Sequence, residues 1–183
     1  MKRTAFLVLA AVAMLPATAA AQIRQLPAPP VRPAAEDCLP YNAAGLKLVQ
    51  QGTGWVLMNG AESMLMQSNK ADADKALALA KQNTAHCFIG RNNQRPDRKR
   101  YIAEYWKGTT TPMAGEDCVN FNPATVNVYD RGALGWRLEN GPSYLVLYDN
   151  HADANRGLLV AKATTGKLCF IGRGTSNITT YYR

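Results

Sequence analysis

The chain contains the pentapeptide Cys-Phe-Ile-Gly-Arg twice, at Cys87–Arg91 and at Cys169–Arg173. Each copy closes a longer segment, and the two segments align from an Asp-Cys pair onward with two one-residue gaps. The matched positions include Cys38 with Cys118, Trp55 with Trp136, Asn69 with Asn150, and Leu77 with Leu158. A self-match of this length indicates an internal duplication. The sequence therefore predicts two related units, 36–107 and 116–183, joined by a short linker.

Two segments of different composition precede the repeats. Residues 1–21 have a basic start, an apolar run and a small-residue end, which together predict a signal peptide cleaved after Ala21. The apolar run is shorter than the about 20 residues of a membrane span. Residues 22–35 contain four prolines and predict an extended tether. We therefore expect a secreted protein, periplasmic or extracellular, with no transmembrane segment.

The four cysteines occupy matching places in the two repeats. A unit of about 70 residues is marginal for a stable core by itself. Four cysteines allow three pairings, and the duplication favours one bond within each unit, Cys38–Cys87 and Cys118–Cys169. Closing a loop of about 50 residues stabilises a fold by about 4 kcal/mol on the chain-entropy model. The C-x₂-C spacing of zinc sites is absent, so we expect no metal.

Periodicity predicts the order β-β-β-α-β-β in each unit. Residues 46–50 and 126–130 alternate apolar and polar side chains, as half-buried strands do. Asn69 and Asn150 stand at N-cap positions before helical patterns rich in small residues. The expected fold is α+β, with two tandem units, mostly antiparallel sheets and one disulfide in each unit.

The arginine that ends each pentapeptide has two interpretations. Arg91 and Arg173 could form ion pairs with Asp37 and Asp117, which the disulfides bring nearby. Alternatively, each arginine could form an anion-binding site. We favour the ion pair, because structural charge networks resemble functional ones in sequence.

Charge and aromatic residues give three further candidate features. Without Lys2 and Arg3 the chain has 19 basic and 13 acidic residues, a net charge of +6. The densest basic cluster lies between the last two strands of the first unit and comprises Arg91, Arg95, Arg98, Lys99 and Arg100. If the cluster binds, its candidate partners are anionic envelope polymer, lipid headgroups or a protein, and export argues against nucleic acid. The favoured alternative is a solvated loop that keeps a basic protein soluble. Trp106, Tyr181 and Tyr182, near the ends of the last strands, are candidates for a surface aromatic site.

The sequence contains none of the common catalytic or nucleotide-binding fingerprints. It therefore gives no reason to expect a cofactor and leaves open whether the protein is an enzyme. The favoured function is a non-enzymatic binding or structural module of the bacterial envelope. A secreted inhibitor that presents the basic loop 91–100 to a hydrolase is the first alternative. An enzyme with a site between the units is the second.

The order of motifs resembles that of uncharacterised bacterial exported repeat proteins with a DC…FNP…GW…CFIGR pattern. The second unit is the closer copy, with DCVNFNPATVNV at 117–128, whereas the first departs from the pattern at Tyr41 and Ala43. The resemblance covers both units but not the residues before them. It implies the repeat and export and carries no activity.

Overall fold

The structure, a computed structural model, describes residues 36–91, 103–108 and 113–183. The first repeat forms β1 (Asp37–Pro40), β2 (Leu46–Gln51), β3 (Gly54–Asn59), β4 (Glu62–Gln67), α1 (Lys70–Lys81), β5 (Asn83–Ile89) and β6 (Ala103–Gly108). The second forms β7 (Asp117–Asn120), β8 (Val126–Asp130), β9 (Trp136–Asn140), β10 (Ser143–Tyr148), α2 (His151–Ala163), β11 (Lys167–Ile171) and β12 (Thr179–Tyr182). The expected signal peptide, the tether, and Arg95, Arg98, Lys99 and Arg100 lie outside the described residues.

Each helix begins at a capping asparagine. The Asn69 side chain accepts a hydrogen bond from the backbone N–H of Asp72 at 2.9 Å, and Asn150 accepts one from Asp153 at the same distance. The cap satisfies one of the backbone donors that a helix leaves free at its start. The predicted helix starts are therefore confirmed in both repeats.

The structure is α+β, but it differs from two separate β-β-β-α-β-β units. Each repeat has one more strand than predicted, because β1 and β7 form at the Asp-Cys segments. In addition, both repeats contribute to one six-stranded sheet with the order β1-β5-β6-β12-β11-β7. The central pair, β6 and β12, is parallel, and the other pairs are antiparallel. Equivalent strands of the two repeats therefore lie at equal distances from the centre of the sheet, and the equivalent strands at the centre are parallel. A pseudo-twofold axis that runs along the strands relates the two repeats.

The remaining elements cover the two faces of this central sheet. Strands β2, β3 and β4 form a sheet that packs with α1 over one face, while β8, β9 and β10 pack with α2 over the other. Both cores mix the repeats. Leu57 and Leu79 of the first repeat pack with Ile171 of the second, and Leu158 of the second packs with Ile89 of the first. A short repeat thereby gains the core that it could not bury alone.

Two disulfides join the edge strands of the central sheet to their neighbours. Cys38 of β1 lies opposite Cys87 of β5 and is bonded to it, and Cys118 of β7 is bonded to Cys169 of β11 in the same way. These are the pairs that the duplication predicts. No helix in the described ranges is long and apolar enough to cross a membrane.

Candidate binding groove beside the repeated pentapeptides

The arginine at the end of each pentapeptide is held by an acidic side chain and an aromatic ring. Arg91 donates from Nε and Nη2 to the two carboxylate oxygens of Asp37, at 3.0 and 2.5 Å, and its guanidinium lies 4.3 Å from the centre of the Phe88 ring. Arg173 repeats the arrangement with Asp117 at 2.8 Å and with Phe170 at 3.8 Å. Both arginines therefore form the ion pairs that the first of the two interpretations predicted. Both arginines nevertheless keep part of the side chain in solvent, 32% for Arg91 and 42% for Arg173.

Both arginines line a groove of about 840 Å³. Strands β4 and β10 form two of its walls, and the segment 176–180 before and within β12 forms a third. We call this feature the pentapeptide groove, bounded by β4, β10, Arg91 and Arg173. β4 and β10 are edge strands of their three-stranded sheets, so each has a strand partner on one side only within the described residues.

The groove also collects apolar surface. In the described part of the chain the large hydrophobic side chains that remain exposed are Met66, Leu134, Tyr144, Leu159 and Ile178. Met66, Tyr144 and Ile178 all line the groove. An apolar cluster that stays exposed and rimmed by polar groups is typical of an interaction surface.

One titratable pair lies in the wall of the groove. His86 Nε2 is 2.7 Å from a carboxylate oxygen of Glu104, which lines the groove. His86 is fully buried, and its ring stacks on Trp106 with the centroids 4.0 Å apart and the planes 3° apart. The imidazole is therefore inaccessible to a substrate and serves to hold Glu104.

The predicted surface exposure is wrong for Tyr181 and Tyr182. Tyr181 is 1% exposed and Tyr182 is 3% exposed, because β12 is a central strand with a packed layer on each face. Trp106 is half-buried against His86 and Tyr41. The Tyr182 hydroxyl is 2.6 Å from that of Tyr148, and burial raises the pKa of both phenols well above 10.

Within the described ranges, one cluster of side chains has the spacing of a metal site, but its residues are not suitable ligands. Glu116, Cys118 and Cys169 bring ligand atoms together, but the two cysteines form a disulfide. Zinc requires thiolates at such a site, and a disulfide supplies none.

Both repeats contain a group of a carboxylate, a tyrosine and a cation that was not predicted from the sequence. Glu36 accepts from the Tyr105 hydroxyl at 3.0 Å and pairs with Lys107. Glu116 accepts from Tyr181 at 3.1 Å and pairs with Arg183. The signal was present, since extending the repeat two residues beyond the matched tyrosines aligns Lys107 with Arg183.

Comparison of the chain with protein-family models, curated proteins and solved structures finds no significant match.

Proposed function

We propose that the protein is a non-enzymatic binding module of the bacterial envelope, exported by its N-terminal segment, and that the pentapeptide groove binds an extended segment of a partner protein. The observation that carries the proposal is the location of Met66, Tyr144 and Ile178 in one groove between two edge strands. Apolar side chains and the edges of two strands lie at the same place.

The edge strands that border the groove favour a polypeptide partner over a glycan or a lipid headgroup. The outer side of an edge strand presents a row of backbone donors and acceptors to which another chain can add. In this mode of recognition the backbone pairs with the edge, and alternate side chains enter pockets. A glycan or a headgroup has no backbone that matches this row. The net charge of +6 for the chain after residue 21 favours a partner segment that also carries acidic residues.

The experiment measures binding of an N-acetylated octapeptide of alternating valine and glutamate by calorimetry. We expect Met66→Ser with Ile178→Ser to weaken binding by about tenfold or more, because both apolar contacts are lost. Leu134→Ser is the matched control: Leu134 is an exposed apolar residue that does not line the groove, so binding should be unchanged.

Two further probes separate a protein partner from an anionic polymer. The same octapeptide with alternate backbone nitrogens methylated should bind weakly, because it cannot complete the pairing with an edge strand. Dextran sulfate presents charge without backbone amides. The proposal would be contradicted if the methylated peptide bound as tightly as the parent peptide. It would also be contradicted if dextran sulfate bound and the parent peptide did not.

A further inference from the structure

A second cavity, of about 420 Å³, lies at the opposite end of the central sheet from the pentapeptide groove. The ends of β6 and β12 form its floor, and the C-terminal parts of α1 and α2 lie on either side. We call it the Arg183 cavity. The pseudo-twofold axis passes between β6 and β12, so the two repeats build the cavity together.

Residues that line the cavity carry buried polar atoms that the protein leaves unsatisfied. Across the described residues, eight buried side-chain nitrogen and oxygen atoms lack a hydrogen-bond partner, and four of them belong to residues lining this cavity. They are Nε and Nη2 of Arg183, Nε1 of Trp106 and Oδ1 of Asn83. Buried polar groups are nearly always paired, and an unpaired one costs about 1–3 kcal/mol. Three unpaired donors and one unpaired acceptor on the lining residues of one cavity therefore point to a ligand.

The free edge of Arg183 has the shape that a carboxylate fits. The Arg183 side chain is 5% exposed, and its Nη1 is engaged by Glu116. The Nε and Nη2 groups remain, and these form the planar fork that takes two carboxylate oxygens. Elsewhere in this protein the same fork is filled by a carboxylate: Asp37 occupies it on Arg91, and Glu139 occupies it on Arg131.

The rest of the cavity is mostly apolar, with Glu36, Thr164 and Thr165 as its further polar lining, and it is open at one side. Its walls include Leu79, Val160, and the rings of Trp106, Tyr181 and Tyr182. Leu159 lines the cavity and is 46% exposed, so a ligand can enter past it from solvent. A volume of about 420 Å³ lies within the range of small-molecule sites, which are mostly apolar with a few oriented polar groups.

We propose that the Arg183 cavity binds a small carboxylate with an apolar body. The carboxylate lies on the Nε–Nη2 edge of Arg183, and the apolar body packs against the aromatic and aliphatic walls. Asn83 Oδ1 then selects for a hydroxyl or N–H group on the ligand, because it is an acceptor without a donor. This site uses residues separate from the pentapeptide groove, so either proposal can fail without the other.

The test measures binding of 2-naphthoate by calorimetry to the full chain. The neutral control is 2-naphthalenemethanol, which has the same ring without the carboxylate, and the anion control is sulfate. We expect 2-naphthoate to bind at least about tenfold more tightly than either control. Equal binding of naphthoate and the neutral alcohol would overturn the role of Arg183. Binding of sulfate as strong as that of naphthoate would show a simple anion site, and no binding of naphthoate at millimolar concentration would indicate that water satisfies the four atoms.

Variants of the chain identify the cavity as the site. Arg183→Lys keeps the charge and can still pair with Glu116, but it lacks the fork, so naphthoate should bind about tenfold more weakly while the alcohol is unaffected. Lys162→Gln is the charge control, because Lys162 is an exposed residue at the end of α2 that does not line the cavity. Unchanged naphthoate affinity in Arg183→Lys would contradict the proposal.

A blocking variant covers the case in which Arg183 variants fail to fold. Ala163 lines the cavity but is exposed, so Ala163→Trp should fill the entrance with little loss of stability. It should abolish naphthoate binding. Retained binding in a folded Ala163→Trp variant would place the ligand elsewhere and overturn the assignment.

Discussion

At the scale of single residues, the repeated arginines explain why the pentapeptide returns unchanged. Each one joins the end of a strand to the Asp-Cys segment through an aspartate and covers a phenylalanine of the same pentapeptide. Four of the five residue types thus have a structural partner in both repeats: the cysteine in its disulfide, phenylalanine under the guanidinium, isoleucine in the core and arginine in the ion pair.

Their partial exposure sets the expected cost of removing them. Exposed ion pairs contribute between 0 and about 1 kcal/mol, and a guanidinium over a ring contributes about 0.5–1 kcal/mol. We expect Arg91→Ala to lower the free energy of unfolding by about 1 kcal/mol, and Arg173→Ala by less, because Arg173 and Asp117 are both more exposed. Urea denaturation measures both values. A loss above about 3 kcal/mol in either variant would show that the pair behaves as a buried one.

Buried tyrosines make the stability sensitive to alkaline pH. Burial raises the pKa of Tyr105 to about 12 from an ordinary value of 10.0, and the hydrogen bond to Glu36 adds to the effect. The pKa values of Tyr41, Tyr148, Tyr181 and Tyr182 are also raised, chiefly by burial. A folded pKa above the unfolded one means that the stability contribution is complete below about pH 10 and is lost as the pH rises through the folded value.

Absorbance at 295 nm, which follows tyrosinate formation, tests this expectation. In a rapid titration, Tyr41, Tyr105, Tyr148, Tyr181 and Tyr182 should ionise above pH 10 and together with unfolding, as judged by circular dichroism at the same pH. Complete ionisation near pH 10 in a chain that remains folded would contradict the burial of these side chains.

At the scale of secondary-structure elements, local signals predicted more than long-range ones. Asn69 and Asn150 identified the helix starts, because a cap acts on its own first turn. The strands β1 and β7 were missed, since four residues are too short to show a period and they pair with strands about 50 residues away. Nothing in the sequence indicated that β6 would pair with β12 of the other repeat, and the burial of Tyr181 and Tyr182 follows from that pairing.

The helices show how the repeats have diverged within one arrangement. Gly157 in α2 lies against Tyr148, and a Cβ at this position would stand 2.2 Å from the phenol oxygen and 2.6 Å from Cζ. The equivalent residues in the first repeat are Ala76 and Gln67. The larger ring in the second repeat therefore requires glycine on the helix, although glycine costs about 1 kcal/mol of helix propensity relative to alanine.

At the scale of the whole molecule, the central sheet joins the two repeats into one body. Its middle pair, β6 and β12, comes from different repeats, and each core cluster contains residues of both. The pentapeptide groove and the Arg183 cavity are likewise lined by both repeats, one at each end of the sheet. The duplication could be read from the sequence, but these two sites could not, because they depend on how the copies associate.

Hydrogen exchange in the Gly157→Ala variant tests most directly whether the two repeats share one core and unfold together. The added methyl group clashes with Tyr148, and we expect a net loss of about 2 kcal/mol, because overpacking strain exceeds the gain in helix propensity. If the repeats unfold as one body, the slowest amides of β5 in the first repeat should exchange faster by about 30-fold, the same factor as those of β11 in the second. Faster exchange in β11 with unchanged exchange in β5 would show that the repeats unfold separately, and would contradict the shared core.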